Sequence, residues 1–344
     1  VSDGSAAALD LEPLRLHLDR AGLGTGPLHA EPIGDGHSNL TFLIERTDAR
    51  LVLRRPPLGP LPPRAHDVLR EARLLIALGA VGQHVPKILD TCEDEAVIGA
   101  PFYLMSFVEG EIVTDELPAA YDQSEAPGVI AEHLVETLIE VHGIDLDPAG
   151  LRDFGRPLRY LERQLERFSG QLQADPVREL PALERIAEWL GAHLPPSQEP
   201  TLVHGDFRLG NVMLDRTEPR VVAVLDWEMA TLGDPLADLG YLTAMWAEPE
   251  DGEDPMLELS RVTRLPGFPP REHLAEIYGE RTGRSLSNLS WYQVLAIWKA
   301  AIFLEGSYRR FVAGTTVDPF FARLDDGVPA LAARAEALIA ATRQ

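Results

Sequence analysis

Leu202-Val-His-Gly-Asp-Phe-Arg-Leu-Gly-Asn-Val-Met-Leu-Asp215, followed after a short gap by Val221-Val-Ala-Val-Leu-Asp-Trp-Glu228, decides the architecture of this chain. The apolar runs at 201–203, 212–214 and 221–225 are predicted to be short strands. They carry His204-Gly205-Asp206 and later Asp226 into loops, and Asn211 follows Asp206 by five positions. Two loop carboxylates and an amide in this order suit phosphoryl transfer, in which protein chiefly orients the nucleophile and holds metal-bound phosphates. An Asp beside an acceptor hydroxyl orients it and takes its proton. An Asn oxygen and a second Asp are hard ligands of the kind Mg²⁺ prefers. A single loop Asp would be read as a solvated surface carboxylate; the ordered set is not.

Outward from that stretch, the sequence divides into two parts. Towards the N-terminus, Leu11, Leu14, Leu18 and Ala21 share a helical face that Gly22 and Gly24 close. Apolar runs at 39–46 and 50–55, separated by Thr47-Asp48-Ala49, predict a hairpin, and the Pro-rich stretch 56–63 a loop. Val68, Ala72, Leu75 and Ile76 predict a second helix ending at Gly79, and residues 101–108 a further strand. Beyond residue 108, helices are expected near 127–142, 157–168, 181–194, 289–311 and 328–342, with the acidic stretch 248–254 as an exposed loop. A strand-rich first part and a helical second part around a small sheet make an α+β chain of two lobes.

Composition narrows the function classes. The formal charge of −23 speaks against nucleic-acid binding, since no excess of Lys and Arg is present to displace phosphate counterions. No apolar run approaches the length of a membrane span. The opening residues 1–5 show no secretory leader pattern, and the single cysteine, Cys92, permits no intrachain disulfide. A cytoplasmic protein is expected, with its oligomeric state open. Only Lys87 and Lys299 are lysines, so nearly all positive charge is Arg.

Asp206-x₄-Asn211 has the spacing of the kinase catalytic loop, and His204-Gly205-Asp206 resembles the form found in the aminoglycoside phosphotransferase and choline kinase superfamily. The resemblance runs from the Gly34 loop to the helix around Tyr308 and is most specific over 202–240. It implies a two-lobed protein-kinase-like fold, with residues 1–107 as nucleotide-binding lobe and 108–344 as helical lobe carrying the catalytic loop and acceptor site. It also implies ATP and Mg²⁺ as co-substrate and cofactor, Asp206 as catalytic base, Arg208 near the transferred phosphate, and Asn211 and Asp226 as metal ligands. In Gly233-Asp-Pro-Leu-Ala-Asp-Leu-Gly240, Asp234 and Asp238 are expected to brace the loop. Asp153-Phe154-Gly155 spells a kinase metal-binding triplet but precedes the catalytic loop, and is read as a chance loop.

The nucleotide side is written less plainly. Ile33-Gly-Asp-Gly-His-Ser-Asn39 places Gly34, Gly36 and Ser38 where a loop could fold over phosphates, although Gly-Asp-Gly is also ordinary turn chemistry. The kinase pattern expects a Lys on the strand at 51–54 and a Glu on the next helix. Here Arg54 stands in the lysine's place, with Glu71 as its partner. Phe102-Tyr-Leu-Met-Ser-Phe-Val-Glu-Gly110 resembles the interlobe hinge, which implies Met105 behind the adenine and Ser106 and Val108 offering backbone groups to its edge.

Val52-Leu-Arg-Arg-Pro-Pro57 and Leu225-Asp-Trp-Glu-Met-Ala-Thr-Leu-Gly-Asp-Pro-Leu-Ala-Asp-Leu-Gly240 resemble the kinase-like domains associated with acyl-CoA dehydrogenases. That branch implies a small-molecule hydroxyl substrate of hydroxyacyl type, or its CoA thioester. The alternatives are an aminoglycoside-type antibiotic kinase, which an acidic helical lobe would suit, and a catalytically silent nucleotide-binding pseudokinase. Trp291, Trp298 and Tyr308 are candidates for an acceptor pocket but are more simply read as core. Arg159 and Arg163 are expected to pair with Glu162 and Glu166.

Overall fold

Asp10 accepts a hydrogen bond from the Glu12 amide at 3.3 Å and so starts helix α1 (Leu11–Ala21). Gly22, at φ +67°, ends it in the left-handed conformation that costs a glycine nothing. The computed structural model describes residues 9–34, 39–57, 67–174, 177–252, 254–314 and 319–342. Five strands follow α1: β1 (His29–Pro32), β2 (Leu40–Glu45), β3 (Arg50–Arg55), β4 (Ile88–Cys92) and β5 (Phe102–Ser106). They form one antiparallel sheet in the order β1-β2-β3-β5-β4, with Leu43 opposite Val52 and Val52 opposite Met105.

Phe42, Ile44, Leu53 and Leu104 on the sheet are buried in one cluster with Leu14 and Leu18 of α1. Each such side chain contributes about 2 kcal/mol by leaving water. Helix α2 (Val68–Ala80) is capped by Asp67, which accepts from the Arg70 amide at 2.9 Å, and it packs on β4 and β5. The 39–46/50–55 hairpin of the sequence forms as β2 and β3, reversed at an Arg46 amide to Ala49 carbonyl bond of 2.9 Å. Strands β1 and β4 had no sequence signal. β1 is a four-residue edge strand ending in Pro32, and β4 is broken by a register shift between Ile88 and Asp90.

The chain divides into two compact units. One holds the residues up to Glu109 together with Pro148–Leu151 and Val222–Glu228. The last of these segments is joined to the unit through the Val224 amide, which donates to the His84 carbonyl at 2.8 Å. The other unit holds Gly110–Asp147, Arg152–Val221 and the residues from Met229 onward.

In that second unit the helices are α3 (Ala126–His142), α4 (Tyr160–Gln173), α5 (Pro181–Ala192), α6 (Leu236–Met245), α7 (Arg271–Thr282), α8 (Leu289–Val312) and α9 (Leu324–Ala341). Among them run β6 (Thr201–Val203), β7 (Val212–Leu214), the first residue of β8 (Val221–Val224), and β9 (Thr231–Gly233). β6 and β9 pair antiparallel. Trp291 and Trp298 of α8 are core, as their simpler reading had it. Their indole N–H groups donate to the carbonyls of Leu190 at 3.1 Å and Leu183 at 3.0 Å. α6 approaches α8 so closely that a Cβ on Gly240 would lie 2.5 Å from the Tyr292 Cβ.

Three expectations need correction. The stretch 248–254 is not simply an exposed loop: Asp254 is buried, caps the turn at the Met256 and Leu257 amides, and meets Arg334 at 2.9 Å. Helix α4 starts three residues after Pro157, because Arg159 takes a left-handed conformation at φ +55° ahead of it. There Arg159 lies 3.1 Å from Glu166 and 3.7 Å from Glu162, the pairing expected of it. Helices α6 and α7 also went unforeseen, the first because it is apolar on every side and shows no helical stripe. Asp153-Phe154-Gly155 is a packing turn: a Cβ on Gly155 would lie 2.5 Å from the Leu232 amide of β9.

Candidate active site

β6 ends at Val203, and the next three residues form a loop held from beneath. Asp238, fully buried on α6, accepts the His204 amide at 2.7 Å on one oxygen and the Gly205 amide at 2.8 Å on the other. The His142 Nε2 lies 3.2 Å from Asp238, and the His142 Nδ1 lies 2.8 Å from the Tyr278 hydroxyl. Burial works against the Asp238 charge, but His142, His204 and the Gly205 amide together hold its carboxyl below the ordinary value of 3.8. Gly205 sits at φ +87°, and a Cβ there would meet the Met229 carbonyl at 2.9 Å. Only glycine fits this turn.

The loop presents Asp206 half-buried, its amide donating to His204 Nδ1 at 3.2 Å. A short 3₁₀ turn, Leu209–Asn211, brings Asn211 back beneath it. Asn211 Nδ2 donates to the Asp206 carbonyl at 2.8 Å and to its carboxylate at 2.7 Å. The five-residue spacing read from the sequence is therefore the span of one tight turn. Arg208 Nε lies 3.8 Å from Asp206, and its guanidinium folds over Gly210, where a Cβ would displace it. Asp206, Arg208 and Asn211 are brought together as the motif implied. Asp238 braces the loop as expected; Asp234 does not touch it, and instead accepts the Gln198 amide, the Leu236 amide and the Tyr292 hydroxyl.

The first unit gathers a second cluster around Arg54. Its Nε lies 3.1 Å from Glu71, and its Nη2 lies 2.5 Å from Asp226 and 3.7 Å from Glu228. The Arg54–Glu71 contact is an ion pair without a hydrogen bond, since neither Arg54 Nε nor Glu71 Oε2 has a bonded partner. Burial pushes the Glu71 carboxyl up to about 7, against the pull of Arg54. Burial alone would lower Arg54, but Glu71, Asp226 and Glu228 overcome it and hold the guanidinium charged. Asp226 sits at φ +61°, a conformation rare outside glycine that Asp tolerates better than most residues.

Asn39 and Glu228 complete the Arg54 cluster: Asn39 Nδ2 donates to Glu228 at 2.9 Å. Both stood inside quoted motifs, yet nothing in the sequence alone paired positions 189 apart. His142 had no signal at all. Of the expected nucleotide loop, Gly34 takes φ +76°, and no described atom lies within 4 Å of where its Cβ would stand, while Gly36 and Ser38 lie outside the described residues. Met105 and Ser106 stand half-buried on β5, with the Ser106 amide bonded to the Lys87 carbonyl at 2.8 Å; Val108 follows, also half-buried.

The donor types suit a hard divalent cation. With the Asn211 nitrogen turned to Asp206, no described residue donates to its amide oxygen, and Asp226 meets Arg54 through only one of its two oxygens. No cluster of three or more His, Cys, Asp or Glu suited to a metal occurs among the described residues.

A kinase-like α+β fold with an His-Gly-Asp loop braced from below defines a phosphotransferase scaffold. Residues 29–276 match the phosphotransferase enzyme family (APH), and the chain belongs to it. The crystal structure of a Ralstonia eutropha protein assigned to the aminoglycoside phosphotransferases superposes with a TM-score of 0.73 at 30% identity, covering 95% of this chain and 98% of that one. A choline/ethanolamine kinase family protein from Mesorhizobium loti, at 22% identity and a TM-score of 0.56 over 92% of this chain and 88% of that one, shares the fold. Acyl-CoA dehydrogenase family member 10 of Mus musculus is 37% identical over 294 residues, 84% of this chain. The match spans only 27% of that relative's length. Family membership supports phosphotransfer to small molecules.

Proposed function

We propose that the chain transfers the γ-phosphate of ATP to a hydroxyl of a small molecule, with a hydroxyacyl compound or its CoA thioester as favoured acceptor. The observation that carries this is the braced turn in which Asn211 holds Asp206 at 2.7 Å while Asp238 fixes the two residues before it. In this reading Asp206 orients the acceptor hydroxyl and takes its proton, and Arg208 steadies the transferred phosphate. Arg54, kept charged by Glu71, meets the inner phosphates; Met105, Ser106 and Val108 receive the adenine; Gly34, Gly36 and Ser38 belong to the loop over the phosphates. Asn211 and Asp226 supply the oxygen ligands for Mg²⁺, whose chemistry is to neutralise charge on the phosphate oxygens. No described helix is long and apolar enough to cross a membrane, which accords with a cytoplasmic enzyme.

The Arg at position 54 is consistent with activity, because it retains both the charge and the Glu71 partner. The acyl preference draws on the 37% identity to an acyl-CoA dehydrogenase family member. The test is phosphate transfer from labelled ATP with Mg²⁺ to hydroxyacyl thioesters, hydroxy acids and kanamycin-type sugars, comparing wild type with Asp206→Ala. Transfer to a hydroxyacyl acceptor should fall on the order of 10³-fold in the variant. Equal turnover in the two proteins would remove Asp206 as the base, and turnover of sugars alone would overturn the acceptor class.

A further inference from the structure

Beside the braced loop, within the second unit, lies a crevice walled by Tyr160, Gly205, Asp238, Tyr241, Tyr292 and Lys299. It has room for about one water molecule, ≈ 10 Å³, so it takes a single polar atom of a ligand and not a whole one. Gly205 belongs both to this wall and to the loop that carries Asp206. A molecule a few atoms long with its hydroxyl at Asp206 therefore has its next polar group within reach of the crevice.

Lys299 is the unusual member. It is one of two lysines in the chain, and it sits half-buried on α8 in a region rich in acid. Buried or half-buried ammonium groups are ordinarily paired. Among the described residues no carboxylate lies within ion-pair distance of it; its neighbour is the Phe168 ring, 5.1 Å away. Arg167 adds a second positive field, while Asp238 and Asp206 act on it only from a distance. Asp238 is already committed to two backbone amides and His142. Among the described residues, the fold thus keeps a cation without a counter-ion beside the loop that carries Asp206.

Resting on the phosphotransferase reading above, we infer that Lys299 is a specificity-determining residue that receives one oxygen of an anionic group, a carboxylate in charge, carried by the acceptor. The crevice discriminates in both directions. A hydroxy acid gains an ion pair there, whereas a polyamine sugar meets a like charge. A neutral acceptor leaves the ammonium as it is.

Because the chain has two lysines, reductive methylation with ¹³C-formaldehyde gives two assignable side-chain signals and leaves both charges in place. Lys299→Met identifies which is which. The probes are 3-hydroxy acids of four to ten carbons and the matching 3-hydroxy amides. The acids should move the Lys299 signal saturably and the amides should not. In turnover, Lys299→Met should raise KM for the acids at least about tenfold, the worth of one hydrogen bond to a charged group, with little change in kcat or in the amides. Lys299→Arg should restore part of the acid preference. An unmoved Lys299 signal, or an acid preference that survives in Lys299→Met, overturns the inference. Movement of the signal without phosphate transfer to any probe upholds the anion seat and removes the kinase reading. Transfer with an unmoved signal does the reverse.

Discussion

Glu71 and Asp238 are both buried acids, one in each unit, and their environments push them in opposite directions. Glu71 shares one guanidinium with Asp226 and Glu228, takes a hydrogen bond from the Trp227 amide and meets the Tyr103 hydroxyl, while its Oε2 finds no hydrogen bond. Its carboxyl rises to about 7. Asp238 faces two backbone amides and a histidine, each aimed at an oxygen, and its carboxyl falls below its ordinary value. Burial opposes charge at both; the neighbouring acids Asp226 and Glu228 reinforce it at Glu71, whereas two histidines and a backbone amide outweigh it at Asp238. The two regions therefore have different tasks. The Asp238 brace is a fixed scaffold for a loop, and the Arg54 cluster is a cation held between acids.

The largest effect that would test this contrast is at the brace. Asp238→Ala leaves two amides and His142 without their acceptor and should cost about 3 kcal/mol of stability, measured by urea unfolding, with kcat reduced more than KM. Asp238→Asn should fall between, since an amide has one acceptor oxygen where the carboxylate has two. If the asparagine variant matched wild type in both stability and turnover, the brace would not depend on charge.

Next in size is the Arg54 cluster. Glu71→Gln should cost under about 1 kcal/mol, because the buried carboxylate it removes was poorly compensated, whereas Arg54→Met should cost about 3 kcal/mol by leaving Glu71 and Asp226 without a cation. The pH dependence separates the units further. Glu71, raised from 4.5 to about 7, contributes stability that is complete below 4.5 and lost as pH climbs through 7. Glu71→Gln should remove that decline. Asp238, lowered from 3.8, contributes stability present above 3.8 and lost on further acidification, so its variants should differ from wild type least at acid pH. Parallel pH profiles for Glu71 and Asp238 variants would dissolve the comparison.

The smallest effect is expected at Lys299. Burial, helped by Arg167, lowers its ammonium to about 8. The folded state then disfavours the proton that the unfolded chain still binds, so wild-type stability should rise between pH 8 and 10.5. Lys299→Met should melt a degree or two higher at pH 7, on the order expected of about 1 kcal/mol, with the gap closing towards pH 10. Thermal unfolding across that range measures it.

Much of the second unit's chemistry could be read from the sequence because its contacts are local. Asp206, Arg208 and Asn211 meet within one turn, so their spacing is their geometry. The hairpin β2–β3 was legible for the same reason, through its alternation and its Thr-Asp-Ala reversal. What stayed hidden depends on distance along the chain or on the absence of contrast. His142 reaches Asp238 across 96 positions, and Asn39 reaches Glu228 across 189. No periodicity reports such pairs. Helix α6 is buried all round, so no polar face marks its period, and β1 is too short and exposed to alternate. The lone ammonium at Lys299 could be counted in the sequence, but its want of a counter-ion appears only in three dimensions.

Arginine at position 54 also has a practical consequence for anyone cataloguing enzymes of this kind by chemical labelling. Reagents built on a nucleotide that hand an acyl group to an adjacent amine find no amine at 54, because a guanidinium flanked by Glu71 and Asp226 keeps its proton and is no nucleophile. On the proposed nucleotide site, such a reagent would miss this chain at position 54, and silence there would say nothing about whether it works.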